Sequence, residues 1–269
     1  MPVRKRSVCP GIDIGATGIK GALVDVETGR LVSERIKLPT PDPSSPAAVA
    51  DTIAAICKKL RVRKGATVGC GFPSIVVRGV TRTAANIDKK WIGLQAQKYL
   101  SKRTGYNILL LNDADAAGMA EFSFGRVKDQ SGTVILLTLG TDIGSALFID
   151  GILVPNTELG HLKFRDGIAE DYASNRARKD GQRTYKVWAR ELNNVLRHIC
   201  LLFSPDLIIL GGGVSKRFNL YKDFLDPGCA LVPAKLRNNA GIVGAALYAY
   251  RHLPGDSVRA KPAVSPGNP

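Results

Sequence analysis

The chain has 269 residues, of which 45% are hydrophobic, and this is enough to bury a large core as one large domain or two moderate ones. No apolar run reaches the roughly 18 residues that span a bilayer, and no signal-peptide core follows the basic N-terminus, which predicts a cytoplasmic protein without a membrane partner. The net charge is +15, and five scattered cysteines without a CxxC pair are expected to be buried free thiols.

A glycine-rich hairpin is predicted at the start of the chain. Residues 8–14 and 19–26 carry the β-branched and aliphatic side chains that strands prefer, and Gly15 and Gly18 stand in the turn between them. Glycines in such a turn let backbone N–H groups approach an anion, and Asp13 places a carboxylate beside them. The spacing is neither that of a P-loop nor that of a dinucleotide-binding turn. A tight hairpin without a catalytic role is the alternative for this segment alone.

Alternating helices and strands follow the hairpin and predict an α/β fold. The expected elements are a helix over 47–60, strands over 68–72 and 76–80, a helix over 92–104, a strand over 108–111 and a helix over 114–122. Asn112 and Asp113 stand where the last strand gives way to the last helix, which is a common position for a reactive side chain.

A second glycine turn, within residues 138–145, lies between apolar runs more than a hundred residues after the first. A third apolar strand, residues 207–210, ends in three glycines, as chains do where the backbone approaches a flat or anionic ligand. Two such hairpins predict duplicated halves that face one cleft. A closing helix is expected over 241–251, and residues 254–269, rich in proline, glycine and serine, are expected to be a mobile tail.

Cations are concentrated in two places. Residues 58–64 hold five lysines and arginines, and the pattern of residues 183–203 predicts a helix with an apolar stripe on one side. Four cations spaced three, four and seven residues apart fall on one narrow face of this helix: Arg183, Lys186, Arg190 and Arg197. A solvated face is the simple interpretation of this pattern, and a binding track for a polyanion is the alternative.

The motifs, in this order, resemble those of the ROK sugar kinases, and within them the polyphosphate-using glucokinases and glucomannokinases. The resemblance covers residues 9–250 and implies the actin-like ATPase fold of Hsp70 and hexokinase, with two similar domains flanking a cleft. Residues 1–111 would form a small domain with the phosphate-1 hairpin. Residues 112–240 would form a large domain with the catalytic aspartate, the phosphate-2 hairpin and the adenosine region, and helix 241–251 would pack back on the small domain.

The resemblance also implies roles for individual residues. Asp113 matches the catalytic base, although a helix cap is the alternative for Asp113 and for Asp115. The sugar-binding residues would be Ser74, Asn86, Asn112, Asp113, Glu158, His161 and Glu170. The donor-binding residues would be Asp13, Gly15, Ala16, Thr17, Gly18, Lys20, Gly140, Thr141, Asp142, Gly144, Gly211, Gly212 and Gly213. Asp13 would hold Mg²⁺ through water, and the four cations of the 183–203 helix would guide a polyphosphate chain.

Some positions depart from the family's pattern. Many ROK kinases carry a cysteine-rich zinc motif after the Glu-x-Gly-His sequence, but residues 162–170 contain no cysteine, so zinc is not expected. Ala16, Ser74 and Asp142 stand at positions where glycine is usual. A carboxylate at Asp142 would repel donor phosphates unless it points away or shares the metal.

The expected activity is transfer of a phosphoryl group from inorganic polyphosphate, and from ATP, to the 6-hydroxyl of glucose, with mannose as a further acceptor. Mg²⁺ would be required, and the family implies a homodimer. An ATP-only glucokinase or another ROK hexose or hexosamine kinase is the nearest alternative. A sugar-responsive DNA-binding regulator is disfavoured because only about eight residues precede the first strand, so no nucleic acid partner is expected. A catalytically silent binding protein is the remaining alternative.

Overall fold

The computed structural model describes residues 7–125 and 130–253, so the predicted tail over 254–269 lies outside the described residues. The strands before residue 113 are β1 (Val8–Ile14), β2 (Ile19–Asp25), β3 (Arg30–Leu31), β4 (Ile36–Leu38), β5 (Thr67–Phe72), β6 (Val76–Val77), β7 (Val80–Thr81) and β8 (Asn107–Asn112). The helices of this part are α1 (Pro46–Lys59) and α2 (Ala96–Thr104).

The first sheet has the strand order β3-β2-β1-β5-β8, and β4 also pairs with β2. The predicted hairpin is confirmed: β1 and β2 are antiparallel, and Ile14 lies opposite Ile19 across the turn. β1 is parallel to β5, and β5 is parallel to β8. Helix α1 begins with a Ser45 cap and Pro46, and its apolar side packs with α2 on one face of the sheet.

Two predicted elements of this part are wrong. The strand predicted over 76–80 is two short strands, β6 and β7, because Arg78 and Gly79 take left-handed backbone conformations with φ of 51° and 77°. The helix predicted over 92–104 begins only at Ala96. A short 3₁₀ turn at Lys89–Trp91 precedes α2. Gly93, which has a φ of 79°, then interrupts the helical path before Ala96.

The second part repeats this plan. Its strands are β9 (Thr133–Leu139), β10 (Ile143–Ile149), β11 (Ile152–Val154), β12 (Lys163–Phe164), β13 (Gly167–Ile168), β14 (Leu207–Gly211) and β15 (Ala230–Pro233). Its helices, with the closing one, are α3 (Asp113–Phe124), α4 (Ala169–Ala173), α5 (Asn175–Asp180), α6 (Tyr185–Phe203) and α7 (Ala240–Arg251). The sheet order is β11-β10-β9-β14-β15, an antiparallel meander followed by two parallel strands, as in the first sheet.

Helix α7 lies in a third core between the two sheets, where it packs on β1, β5 and α3. Its backbone comes so close to the backbones of β1 and α3 that side chains are excluded at the contacts. A Cβ on Gly11 would lie 2.0 Å from the carbonyl oxygen of Ile242, and a Cβ on Gly244 would lie 1.6 Å from that of Ala116. These contacts join the first sheet to the first helix of the second part.

The cysteines differ in part from the prediction. Cys9, Cys57 and Cys70 are buried free thiols, and burial raises the pKa of Cys9 and Cys57 to about 12. Cys200 and Cys229 are only half-buried, and their sulfurs lie 3.4 Å apart because α6 packs beside the segment that enters β15. Within residues 7–125 and 130–253, no helix is both long enough and apolar enough to cross a membrane.

Candidate active site

Asp113 stands at the junction of β8 and α3, where the strand enters the cleft. The helix cap is not Asp113 but Asn112, whose Oδ1 accepts hydrogen bonds from the N–H groups of Ala114 and Asp115 at 2.8 and 3.0 Å. The other end of the Asn112 amide donates to the carbonyl of Ser74 at 3.2 Å. Asn112 therefore fixes the start of α3, and with it the position of the Asp113 carboxylate.

The environment of Asp113 favours its neutral form. Burial raises the pKa of Asp113 to about 7, and the negative charges of Asp13 and Glu158 add to the effect. Its carboxylate accepts a hydrogen bond from the N–H of Ala114 at 2.9 Å, which opposes the shift. A carboxylate that titrates near neutrality can accept a proton from an alcohol and release it again, as a general base requires.

Asp13 lies at the end of β1, opposite Lys20 in the register of the first hairpin. The Lys20 ammonium lies 3.0 Å from Oδ2 of Asp13, so Lys20 faces the cleft. The first turn of α7 approaches the same carboxylate, since a Cβ on Gly241 would lie 2.9 Å from Cγ of Asp13. A helix N-terminus carries partial positive charge, and it therefore favours a carboxylate at this place.

Three predicted sugar-binding residues form one cluster. The His161 ring lies between two carboxylates, with Nδ1 3.8 Å from Oε2 of Glu158 and Nε2 3.9 Å from Oε1 of Glu170. Glu170 also accepts a hydrogen bond from the N–H of Ile143 at 3.1 Å, which connects the cluster to β10. Burial raises the pKa of both Glu158 and Glu170. Carboxylates and an imidazole in this arrangement can bind neighbouring hydroxyls of a sugar.

Arg176, a cation just before the basic helix that the sequence analysis did not assign to the site, extends this cluster to the second glycine turn. Its Nη2 lies 4.0 Å from Oε1 of Glu170 and 3.2 Å from Oδ1 of Asp142. Asn86 donates from Nδ2 to the other oxygen of Asp142. Asp142 is thus partly neutralised by a guanidinium, which is the physical reason that a carboxylate is accommodated at this position. Asn86 lies beside the phosphate-2 turn rather than in the Glu158–Glu170 cluster.

The loop after β5 is held from both sides of the cleft. Ser74 is buried, and its hydroxyl donates to the carbonyls of Ile75 and Thr83 at 3.0 and 2.8 Å. Ser74 therefore stabilises the loop by bonding its side-chain hydroxyl to backbone carbonyls of the loop. Asn156, which the sequence analysis missed, reaches the same loop from the second part and hydrogen-bonds the backbone of Val76.

The glycine turns present their backbone to the cleft. The phosphate-1 turn is closed by a bond from Gly15 N–H to the carbonyl of Gly18 at 3.2 Å, and the phosphate-2 turn by one from Gly140 N–H to the carbonyl of Asp142 at 3.0 Å. Gly212 has a φ of 77° and lies against Leu139, whose carbonyl oxygen would be 2.5 Å from a Cβ at this position. The remaining predicted donor-site residues with exposed side chains or backbone are Ala16, Thr17, Thr141 and Gly213.

The predicted polyphosphate track is only partly on one helix face. Arg183 precedes the Thr184 cap of α6, and its Nη1 donates to the carbonyl of Tyr172 at 3.3 Å. Arg197 donates to the carbonyl of Asp226 at 3.0 Å, near the far end of α6. Lys186 and Arg190 lie exposed on α6.

The chain is similar to known proteins in both sequence and fold. Residues 9–171 match the model of the ROK family. Over 238 residues the chain is 45% identical to a polyphosphate glucokinase of Mycobacterium tuberculosis, which covers 88% of this chain and 89% of that protein.

Two solved structures share the fold. An inorganic polyphosphate/ATP-glucomannokinase from Arthrobacter sp. strain KM has a TM-score of 0.86 and 44% identity, and the match covers 90% of this chain and 98% of that one. A ROK family glucokinase from Streptomyces griseus, in complex with glucose and AMPPNP, has a TM-score of 0.77 and 26% identity, with 91% and 100% covered. The predicted actin-like α/β fold is confirmed.

Proposed function

This chain belongs to the ROK family, and we propose that it transfers a phosphoryl group from inorganic polyphosphate, and from ATP, to the 6-hydroxyl of glucose. The observation that carries the proposal is that Asp113 is close enough to both Asp13 and Glu158 of the sugar cluster to feel their charges, which together with burial raise its pKa to about 7. The names of the similar proteins support polyphosphate, ATP and glucose as substrates.

In the proposed reaction, Glu158, His161 and Glu170 hold the sugar by its hydroxyls. The 6-hydroxyl oxygen attacks the terminal phosphorus of the donor while its proton passes to the Asp113 carboxylate. The bond between that phosphorus and the rest of the donor breaks, and the shortened polyphosphate or ADP leaves. Because such a transition state is loose, positioning and charge stabilisation by the two glycine turns supply most of the rate.

Mg²⁺ is proposed at Asp13. An ion at this place would take one or two carboxylates and complete its shell with water and phosphate oxygens. The Asp13 carboxylate offers such an oxygen and would hold the ion through water. When bound, the ion would offset negative charge on the transferred group. Lys20 would supply a further positive charge through its contact with Asp13.

Two parts of the site bear on the choice of donor. Gly213 begins a 3₁₀ segment, Gly213–Leu220, and nothing lies within 4 Å of a Cβ built on it, so the backbone after β14 is open for the adenosine of ATP. The cations near the phosphate-2 turn favour a longer anion. An ATP-only hexose kinase would need the open backbone at Gly213 but not the cations near the phosphate-2 turn.

The first experiment measures glucose 6-phosphate formation with Mg²⁺ and either long-chain polyphosphate or ATP as sole donor, with D113N as the inactive control. Turnover on polyphosphate that declines with added salt supports the proposal, since salt screens attraction between a polyanion and surface cations. Turnover on ATP alone would establish the alternative. Mannose in place of glucose tests the second acceptor, and sedimentation velocity tests the homodimer that the family implies.

A further inference from the structure

A small cavity of about 150 Å³ lies beside the phosphate-2 turn, outside the sugar cluster. Gly140 and Thr141 of the turn form one wall, and Arg176 and Lys179 of α5 face them. The N–H of Arg176 donates to the carbonyl of Gly140 at 3.2 Å, so α5 is fixed to the turn by its backbone. The cavity is therefore a continuation of the donor site, with two cations in its lining and one acidic residue, Asp180.

Arg176 has capacity for a further anion. Both of its carboxylate contacts are made by Nη2, at 3.2 Å to Asp142 and 4.0 Å to Glu170. A guanidinium carries five N–H donors in a planar fork, which matches the oxygens of phosphate better than a single contact to one carboxylate oxygen. A phosphate with more negative charge than Asp142 would compete for this group.

Helix α5 also connects the turn to the basic side of α6. The Arg178 guanidinium stacks on the ring of Tyr185, with its carbon 4.6 Å from the ring centroid, and Tyr185 is the first residue of α6. Lys179 lines the cavity next to this contact, and Lys186 follows Tyr185. The cations of α5 thus lie between the phosphate-2 turn and the exposed cations of α6.

Resting on the proposed function, we infer that Arg176 and Lys179 bind the phosphates of the polyphosphate donor beyond the one that is transferred, and that donor binding draws the Arg176 guanidinium from Asp142 to phosphate. Asp142 then serves as the internal anion that holds Arg176 in place while no donor is bound.

The test measures the affinity of the full chain for long-chain polyphosphate by isothermal titration calorimetry without sugar, and then KM and kcat for each donor. K179Q is the first variant, because Lys179 is exposed and its loss leaves the sugar cluster intact. R176Q and D142N test the movement of the Arg176 guanidinium from Asp142 to phosphate. R176Q removes the guanidinium, whereas D142N keeps an oxygen for Asn86 but removes the charge that competes with phosphate. K98Q, an exposed lysine on α2, is the matched control.

We expect K179Q and R176Q each to weaken polyphosphate binding about tenfold, the usual effect of one charge-assisted hydrogen bond. D142N should bind polyphosphate more tightly than the wild type, and K98Q should bind it with wild-type affinity. Equal affinities for K179Q, R176Q and wild type would overturn the inference, as would weaker binding by D142N. Because calorimetry needs no turnover, a wild type that binds polyphosphate through these residues without phosphorylating glucose would refute the proposed function alone.

Discussion

Asn156 holds the backbone of Val76 with both ends of its side-chain amide. The N–H of Val76 donates to Oδ1 at 2.7 Å, and Nδ2 donates to the carbonyl of Val76 at 3.0 Å. The N–H of Asn156 in turn donates to Oδ2 of Asp115 at 2.8 Å. The first turn of α3, the segment after β11 and the loop after β5 that carries Ser74 are therefore linked through one residue.

Removal of the Asn156 amide should loosen this loop. Asn156 has a φ of 61°, so N156G keeps the backbone conformation and loses only the side chain, whereas N156A adds strain. We expect N156G to lower the free energy of unfolding by about 1–3 kcal/mol, from the two lost hydrogen bonds, and to raise the KM for glucose more than that for the donor. Calorimetry and sugar kinetics check this. An N156G enzyme with wild-type Tm and KM would show that the link has no consequence.

The pH dependence of turnover should report Asp113. Its pKa is raised to about 7 by burial and by Asp13, so the base is protonated and inactive below that pH. The expected kcat/KM for glucose falls tenfold for each pH unit below about 7. D113N should lose about 10²–10⁴-fold in kcat while it still binds glucose. A profile flat down to about pH 5, the range of an ordinary carboxyl, would contradict this assignment.

Asp115 should make the protein less stable as pH rises. It is 1% exposed, its Oδ1 has no hydrogen-bond partner, and burial raises its pKa from 3.8 to about 7. Between these pKa values the native state binds more protons than the unfolded state, so stability is full at low pH and is lost as pH rises through about 7. Relative to wild type, D115N should therefore gain about 1–3 kcal/mol between about pH 5 and 8. Denaturant unfolding of D115N and wild type at both pH values measures this gain. A stability difference between the two proteins that does not change with pH would refute the raised pKa of Asp115.

Gly244 should be intolerant of any side chain. In G244A the new Cβ would meet the carbonyl oxygen of Ala116 at 1.6 Å, so α7 and α3 must separate. We expect a loss of about 1–3 kcal/mol or more, measured as a lower Tm. G213A is the matched control because its Cβ would enter open space. Equal Tm values for the two variants would contradict the packing.

The same G213A variant should separate the two donors. The added methyl projects into the space proposed for adenosine, whereas polyphosphate has no nucleoside to collide with it. The KM for ATP should rise about tenfold or more, roughly the effect of one misplaced methyl group, and the KM for polyphosphate should stay at the wild-type value. Parallel changes for both donors would place the adenosine elsewhere.

Much of the fold could be predicted because its signals are local. Both hairpins, the β8–α3 junction and α7 follow from apolar periodicity, glycine turns and caps that a short window contains. The errors near Arg78 and Gly93 have the opposite origin, since each depends on one or two residues that take a left-handed conformation inside an otherwise regular pattern. The roles of Arg176 and Asn156 gave no local signal, because they come from contacts to Asp142 and Val76, far away in sequence, and Arg176 looked only like one more cation before the basic helix.

Helix α7 has a consequence for how the chain folds during synthesis. Each half has its own sheet and its own core. The surfaces around Gly11 and Ala116, one from each half, instead both pack on α7, residues 240–251. Helix α7 emerges from the ribosome after both sheets, and it is the element that joins the halves and places Gly241 against Asp13. We therefore expect the surroundings of Asp13 to be complete only after this segment has been translated.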